Sequence, residues 1–236
     1  MIFSCLFCKV ILLILNKEIE DNMKEDYIIR KENKEDYNET ENLTREAFYN
    51  VYIEGCFEHY ILNKLHSSKD YIKEIAFVVE KDNRLIGHIG YTYSKLISSN
   101  NKEKDIISFG PVSIIPKYKM QGIGSKLIKH SISKAKELGY KAIVIYGNPK
   151  LYQKFGFTLG IKYGIKTSDG KDAVPLLALE LKEGYLKDTD GYRFIESPDF
   201  EIDEEKFNEY DKTFPYKEKK KTKSQVEFEI LSNLMW

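Results

Sequence analysis

Three cysteines in 236 residues are too few for a disulfide framework, and they point to a reducing compartment, taken here as cytoplasmic. Cys5 and Cys8 form a CxxC, but no second pair follows, so neither a zinc site nor a redox centre is expected and no metal is assigned. Net charge is absent too. The 37 basic residues balance 37 acidic ones, so the electropositive footprint of a nucleic-acid binder is missing. Long apolar runs are lacking: the strongest, Met1–Asn16, is interrupted by Lys9 and falls short of the ~20 residues a spanning helix needs. No small-residue cleavage site follows it, and stable membrane association is not expected. Residues 1–22 therefore read as an apolar extension upstream of a conventional polar start at Met23, either non-native or disordered. A membrane-associating or packed segment is the other reading. Two nucleotide-binding loops are missing as well. Gly-Lys-Ser or Gly-Lys-Thr occurs nowhere, and Leu127 stands where a dinucleotide fingerprint needs its third glycine.

What remains is a globular pattern, with tyrosine abundant at 17 residues. Tyr27–Arg30 reads as a short strand. Asn38–Thr44 reads as a helix lead-in with Thr44 as cap, followed by two helices or one broken at Gly55. Cys56 is expected on the second helix as a small buried residue. Ile75–Glu80 and Arg84–Tyr93 form a hairpin across Asp82-Asn83, and Ser98–Lys104 is loop-like. Ile106–Ile115 is a strand interrupted by Gly110-Pro111. Proline removes a ladder donor, so a bulge or splay is expected there. A helix over Gly124–Leu138 closes at Gly139, a strand covers Lys141–Tyr146, and Pro149 starts a short helix over Lys150–Phe155. Asp172–Leu181 is a further strand, and Phe200–Phe207 and Val226–Trp236 are placed in an accessory tail. Lys217–Lys223, five lysines and one glutamate, reads as a solvated face or hinge.

Residues 117–124, Lys-Tyr-Lys-Met-Gln-Gly-Ile-Gly, join that interrupted strand to the helix. A strand feeding a glycine-containing loop and a helix start presents outward N–H groups and a favourable dipole to an anion, so a phosphorylated small molecule is the expected occupant.

The order of these elements, with Phe109-Gly-Pro-Val-Ser-Ile, Gly147-Asn-Pro and Tyr152-Gln-Lys-Phe-Gly-Phe157, resembles the Gcn5-related N-acetyltransferase superfamily over about Tyr27 to Leu181. It is most similar to a group of predicted bacterial N-acetyltransferases. The resemblance implies a mixed α/β acyl-CoA N-acyltransferase fold, with a central, mostly antiparallel sheet splayed between strands 4 and 5. It assigns residues 23–182 to the acetyltransferase domain and 183–236 to a C-terminal accessory segment.

The same resemblance implies transfer of an acetyl group from acetyl-CoA to a primary amine of a small molecule or protein, by direct attack in a ternary complex. A noncatalytic acyl-CoA binding or sensing module is the alternative, and a homodimer is compatible with either. The family's acyl-CoA signature falls on Lys119, Gly122 and Gly124, with lysine where arginine or glutamine is usual. The implied cofactor contacts are Val112, Ser113 and Ile114 along the pantetheine arm, then Lys119, Met120, Gln121, Gly122, Ile123, Gly124 and Ser125 around the pyrophosphate, with Asn148 and Tyr152 beyond. Tyr152 matches the family's general acid, and the Val112 N–H is the expected oxyanion donor. No acidic residue lies in Ile106–Pro116, where relatives often place a base. His88 is a candidate base beside Glu74, Glu80 or a water chain, while Glu54 and Glu58 are placed on the acceptor side as attractors of a cationic amine.

Overall fold

A computed structural model describes residues 26–236. The Cys5–Cys8 pair and the extension 1–22 lie outside the described residues. The sheet is 8-stranded: β1 (Ile28–Lys31), β2 (Phe77–Lys81), β3 (Arg84–Ile97), β4 (Glu103–Ile114), β5 (Ala142–Tyr146), β6 (Thr158–Leu159), β7 (Leu176–Glu180) and β8 (Arg193–Ile195). Its order is β1-β2-β3-β4-β5-β7-β6, with β8 pairing β3. Every pairing is antiparallel except β4–β5.

The β2–β3 hairpin turns where expected. Asp82 and Asn83 both adopt left-handed φ, 50° and 58°, as a two-residue turn matching strand twist requires. β3 and β4 run further than their apolar cores suggest, so only a short turn separates Ile97 from Glu103. β4 passes through Gly110-Pro111, whose peptide is cis, by the expected bulge: Ile89 pairs Val112 while Tyr91 pairs Phe109, leaving Gly90 opposite two residues.

One face of the sheet carries α3 (Ile123–Glu137), whose Leu127, Ile128 and Ala135 pack with Ile86, Ile89, Tyr91, Ile107 and Ile143. Burial of such side chains, each stabilising by about 1.5–3 kcal/mol, holds the loop before α3 in place. The other face carries α1 (Tyr37–Phe48) and α2 (Glu58–His66). Thr44 caps nothing: it lies inside α1, buried, with its hydroxyl 2.8 Å from that of Ser113. The helix starts earlier, after an Asn33–Asp36 capping box. Its buried face, Thr40, Glu41, Leu43, Thr44, Arg45 and Ala47, is too polar to show an apolar period. Cys56 is buried as expected but precedes α2 rather than lying on it.

A short helix, α4 (Pro149–Tyr152), follows β5. The C-terminal region then returns to the sheet. β8 pairs Lys95–Ile97, on the same β3 edge that β2 uses further along. Next, α5 (Glu204–Asp211) sets Phe207 edge-on against Phe57 and Tyr60. Asp211 Oδ1 accepts from Arg45 Nε at 2.8 Å and lies 3.0 Å from His59 Nε2. Finally, α6 (Lys223–Ser232) precedes backbone bonds from Asp172 and Val174 to Trp236 and Leu234. Among the described residues no helix is long and apolar enough to cross a membrane.

Candidate active site

β4 and β5 share a single registered pair, Ile107 with Ile143. Beyond it the strands part, which leaves the Val112–Ile114 end of β4 without a partner on its β5 side. The side chains there are committed to packing: Ser113 is buried against Thr44, and Ile114 lies under Gly124 of α3. What the segment can offer a ligand is backbone.

The gap leads to the start of α3. Gly122 sits there in the left-handed region at φ 82°, with nothing within 4 Å of where a Cβ would stand. No side chain caps the helix, and its bonding begins with Lys126 N to Gly122 O at 3.1 Å. The preceding N–H groups are the orphans of an uncapped helix start, a geometry that suits an anion. Gly124 is different: a Cβ would lie 3.4 Å from Ile114 Cγ1, so its role is close helix–sheet approach. Met120 is also left-handed, at φ 62°, and fully exposed, and Gln121 Nε2 donates to Lys117 O at 3.0 Å. Ser125 Oγ accepts from Lys154 Nζ at 2.8 Å, which puts a cation beside the loop.

Lys119 does not sit as the motif suggests. Its ammonium donates to the Ala47 carbonyl at 2.7 Å, in the last turn of α1. There it neutralises a helix C-terminus instead of facing the loop, and burial lowers its pKa.

Tyr152 is packed among Phe109, Phe155 and Phe157. Burial, helped by nearby Tyr52, pushes its phenol well above the ordinary tyrosine range, so it stays a proton donor. With Val112 and Pro111 it lines a cavity of about 290 Å³. Asn148 caps α4, its side-chain oxygen accepting from Lys150 N at 3.0 Å, and lines a neighbouring cavity of about 480 Å³ that shares Tyr52, Tyr146 and Tyr152.

His88 is not brought to this site. It is fully buried, with Nε2 3.2 Å from Glu32 Oε1, in a cluster with His66 and Tyr71. Desolvation opposes the charge on Glu32, but His88 and His66 outweigh it and hold the carboxyl far below its usual range. Donor atoms of Glu32, His66 and His88 lie within 4.8 Å of one another, close enough for a metal ion. They already bond one another, and Glu41 and Thr40 extend the network, so the cluster ties β1, α1, α2 and β3 together.

Two carboxylates reach the 290 Å³ cavity in its place. Glu58, the first residue of α2, accepts from Phe57 N at 3.0 Å. Glu196 follows β8 directly, and no hydrogen bond or ion pair reaches its carboxylate among the described residues. Burial raises both to about 7; for Glu58 this prevails over the opposing backbone N–H bonds. Glu58 is one of the two glutamates, with Glu54, that the sequence singled out on this helical stretch, and it lines the cavity. Glu196 had no local signal, since only the return of the tail to β3 brings it here.

The sequence model of the Acetyltransferase (GNAT) family matches residues 37–157, from the start of α1 through the Tyr152 segment. The chain belongs to this family. The GNAT fold recurs in solved structures. A GNAT family acetyltransferase from Brucella melitensis in complex with acetyl-CoA is 24% identical with a TM-score of 0.59, over 74% of this chain and 98% of that one. YhbS from Escherichia coli in complex with CoA is 20% identical with a TM-score of 0.65, over 74% of this chain and 92% of that one. By sequence, the uncharacterized N-acetyltransferase YhbS of Escherichia coli K12 is 28% identical over 78 residues, 33% of this chain and 47% of that protein. The chain thus spans about half the length of the curated relatives it matches.

Proposed function

We propose that this GNAT protein transfers an acetyl group from acetyl-CoA to a primary amine, in a cytoplasmic setting inferred from cysteine usage. One observation carries the reading: Val112, at the end of β4 that β5 leaves unpaired, lines one cavity with the protonated Tyr152, and two residues further along the same strand Ile114 lies under Gly124 in the uncapped start of α3. The groups present fit such a cofactor. Open space over Gly122 lets a diphosphate approach the backbone, and Lys154 supplies a nearby cation. The backbone of Val112–Ile114, unpaired on its β5 side, suits an amide-bearing arm laid down as an extra strand.

Bound there, acetyl-CoA supplies an activated thioester. Holding the amine against it lowers the entropic cost of their encounter. A cavity carboxylate takes one proton from the ammonium, the C–N bond forms and the C–S bond breaks. The Val112 N–H donates to the developing oxyanion. Tyr152 protonates the departing thiolate, and the second nitrogen proton restores the phenol, so one proton is released per turnover. The test is a thiol-release screen with acetyl-CoA against polyamines, amino acids, aminoglycosides, arylalkylamines and N-terminal peptides. Stoichiometric amide formation is expected with at least one. Saturable CoA binding without turnover on any of them would reduce the protein to a binding module.

A further inference from the structure

Aromatic rings and carboxylates share the walls of the 290 Å³ cavity in an unusual proportion. Phe48, Tyr52, Phe109, Tyr146 and Phe200 provide ring surface, Glu58 and Glu196 provide negative charge, and no lysine or arginine lines it. Glu196 lacks a protein partner, although burial of an ionisable carboxylate is costly without one. The partner such a wall fits is a cation brought by the ligand. Aromatic faces add to its attraction for an ammonium and cover an apolar body. A volume of about 290 Å³ suits a ring-sized body. A polyamine or an aminoglycoside would bring more ammonium groups than the two carboxylates can pair, and less apolar surface to cover the rings.

We infer that the acceptor is a small primary monoamine with an apolar, ring-sized body, its ammonium held between Glu58 of α2 and Glu196 of the C-terminal segment and its body among Tyr52, Tyr146 and Phe200. This rests on the acetyltransferase reading. It makes the segment after β8 a wall of the acceptor site, since both Glu196 and Phe200 belong to it.

The experiment uses the full chain saturated with CoA. Binding of 2-phenylethylamine, its neutral counterpart 2-phenylethanol, and spermidine is measured by calorimetry. Steady-state acetylation of the two amines is then compared for wild type, Glu58→Gln and Glu196→Gln. Phenylethylamine should bind and be acetylated in preference to spermidine, and phenylethanol should bind at least tenfold more weakly than phenylethylamine. Loss of either carboxylate should raise the amine KM about 10- to 100-fold, with the KM for acetyl-CoA unchanged. The Gln variants keep side-chain size, and circular dichroism checks their fold. CoA binding with spermidine preferred, or with both Gln variants matching wild type on phenylethylamine, overturns the acceptor assignment and leaves the acetyltransferase reading intact. Failure to bind any CoA species overturns both.

Discussion

The Tyr152 ring lies directly on the backbone of Gly147: a Cβ at position 147 would stand 2.6 Å from Tyr152 Cε2 and 2.8 Å from its Cδ2. Glycine at the end of β5 therefore sets where the phenol points. Gly147→Ala should displace the ring without removing the hydroxyl. Its kcat should fall about 100-fold, the scale of a 1 Å misplacement, while CoA affinity holds. Stability should drop by about 1–3 kcal/mol, as for overpacking. Stopped turnover assays and urea melts measure the two effects separately, and unchanged kcat would show that the ring's position does not matter.

Tyr152→Phe removes the donor and keeps the packing with Phe109 and Phe157. A decrease in kcat of about 10²-fold or more is expected. Because burial holds the phenol protonated beyond the ordinary tyrosine range, wild-type activity should show no descending limb from this residue below about pH 10. A variant with wild-type turnover across pH would remove Tyr152 from the chemistry.

Glu58 and Glu196 titrate near 7 because burial disfavours their charge. Tyr52 and Cys56 face Glu58, Tyr146 faces Glu196, and none of these brings positive charge. If either carboxylate takes the amine proton, kcat/KM should rise through about pH 7, and the Gln variants should flatten that limb. The stability effect has the opposite sense. Each folded-state pKa lies above the unfolded value, so the folded chain binds more protons between the two, and stability falls as pH rises across that window. Glu58→Gln and Glu196→Gln should consequently raise Tm relative to wild type at pH 8 and have little effect at pH 4. Thermal melts at the two pH values decide it.

Asp211 joins α5 to the α1–α2 layer by its bonds to Arg45 and His59. Asp211→Ala leaves the buried Arg45 guanidinium without its carboxylate, with an expected loss of about 3 kcal/mol in urea unfolding. The same change loosens the segment that carries Glu196 and Phe200, so the amine KM should rise while the acetyl-CoA KM stays put.

The sequence exposed the part of the site that lies on one stretch of chain. The bulge at Gly110-Pro111, the glycine loop, and Tyr152 after Gly147-Asn148-Pro149 all sit where local patterns predict, because turn chemistry and helix starts are written in neighbouring residues. α1 has no apolar period to read because its buried face carries Thr40, Glu41, Thr44 and Arg45, partners of other elements and not of an oil-like core. Lys119 drew a phosphate role from its motif position, yet the Ala47 carbonyl that engages it lies 72 residues away. Glu196 was invisible for the same reason: its place depends on β8 pairing with β3.

The central claim is that the backbone around Gly122 and the unpaired end of β4 hold acetyl-CoA. Calorimetric titration of the cofactor-free protein with acetyl-CoA tests it most directly. The account predicts a saturable 1:1 isotherm abolished by prior addition of CoA. Absence of heat, with no competition between the two ligands, would contradict it.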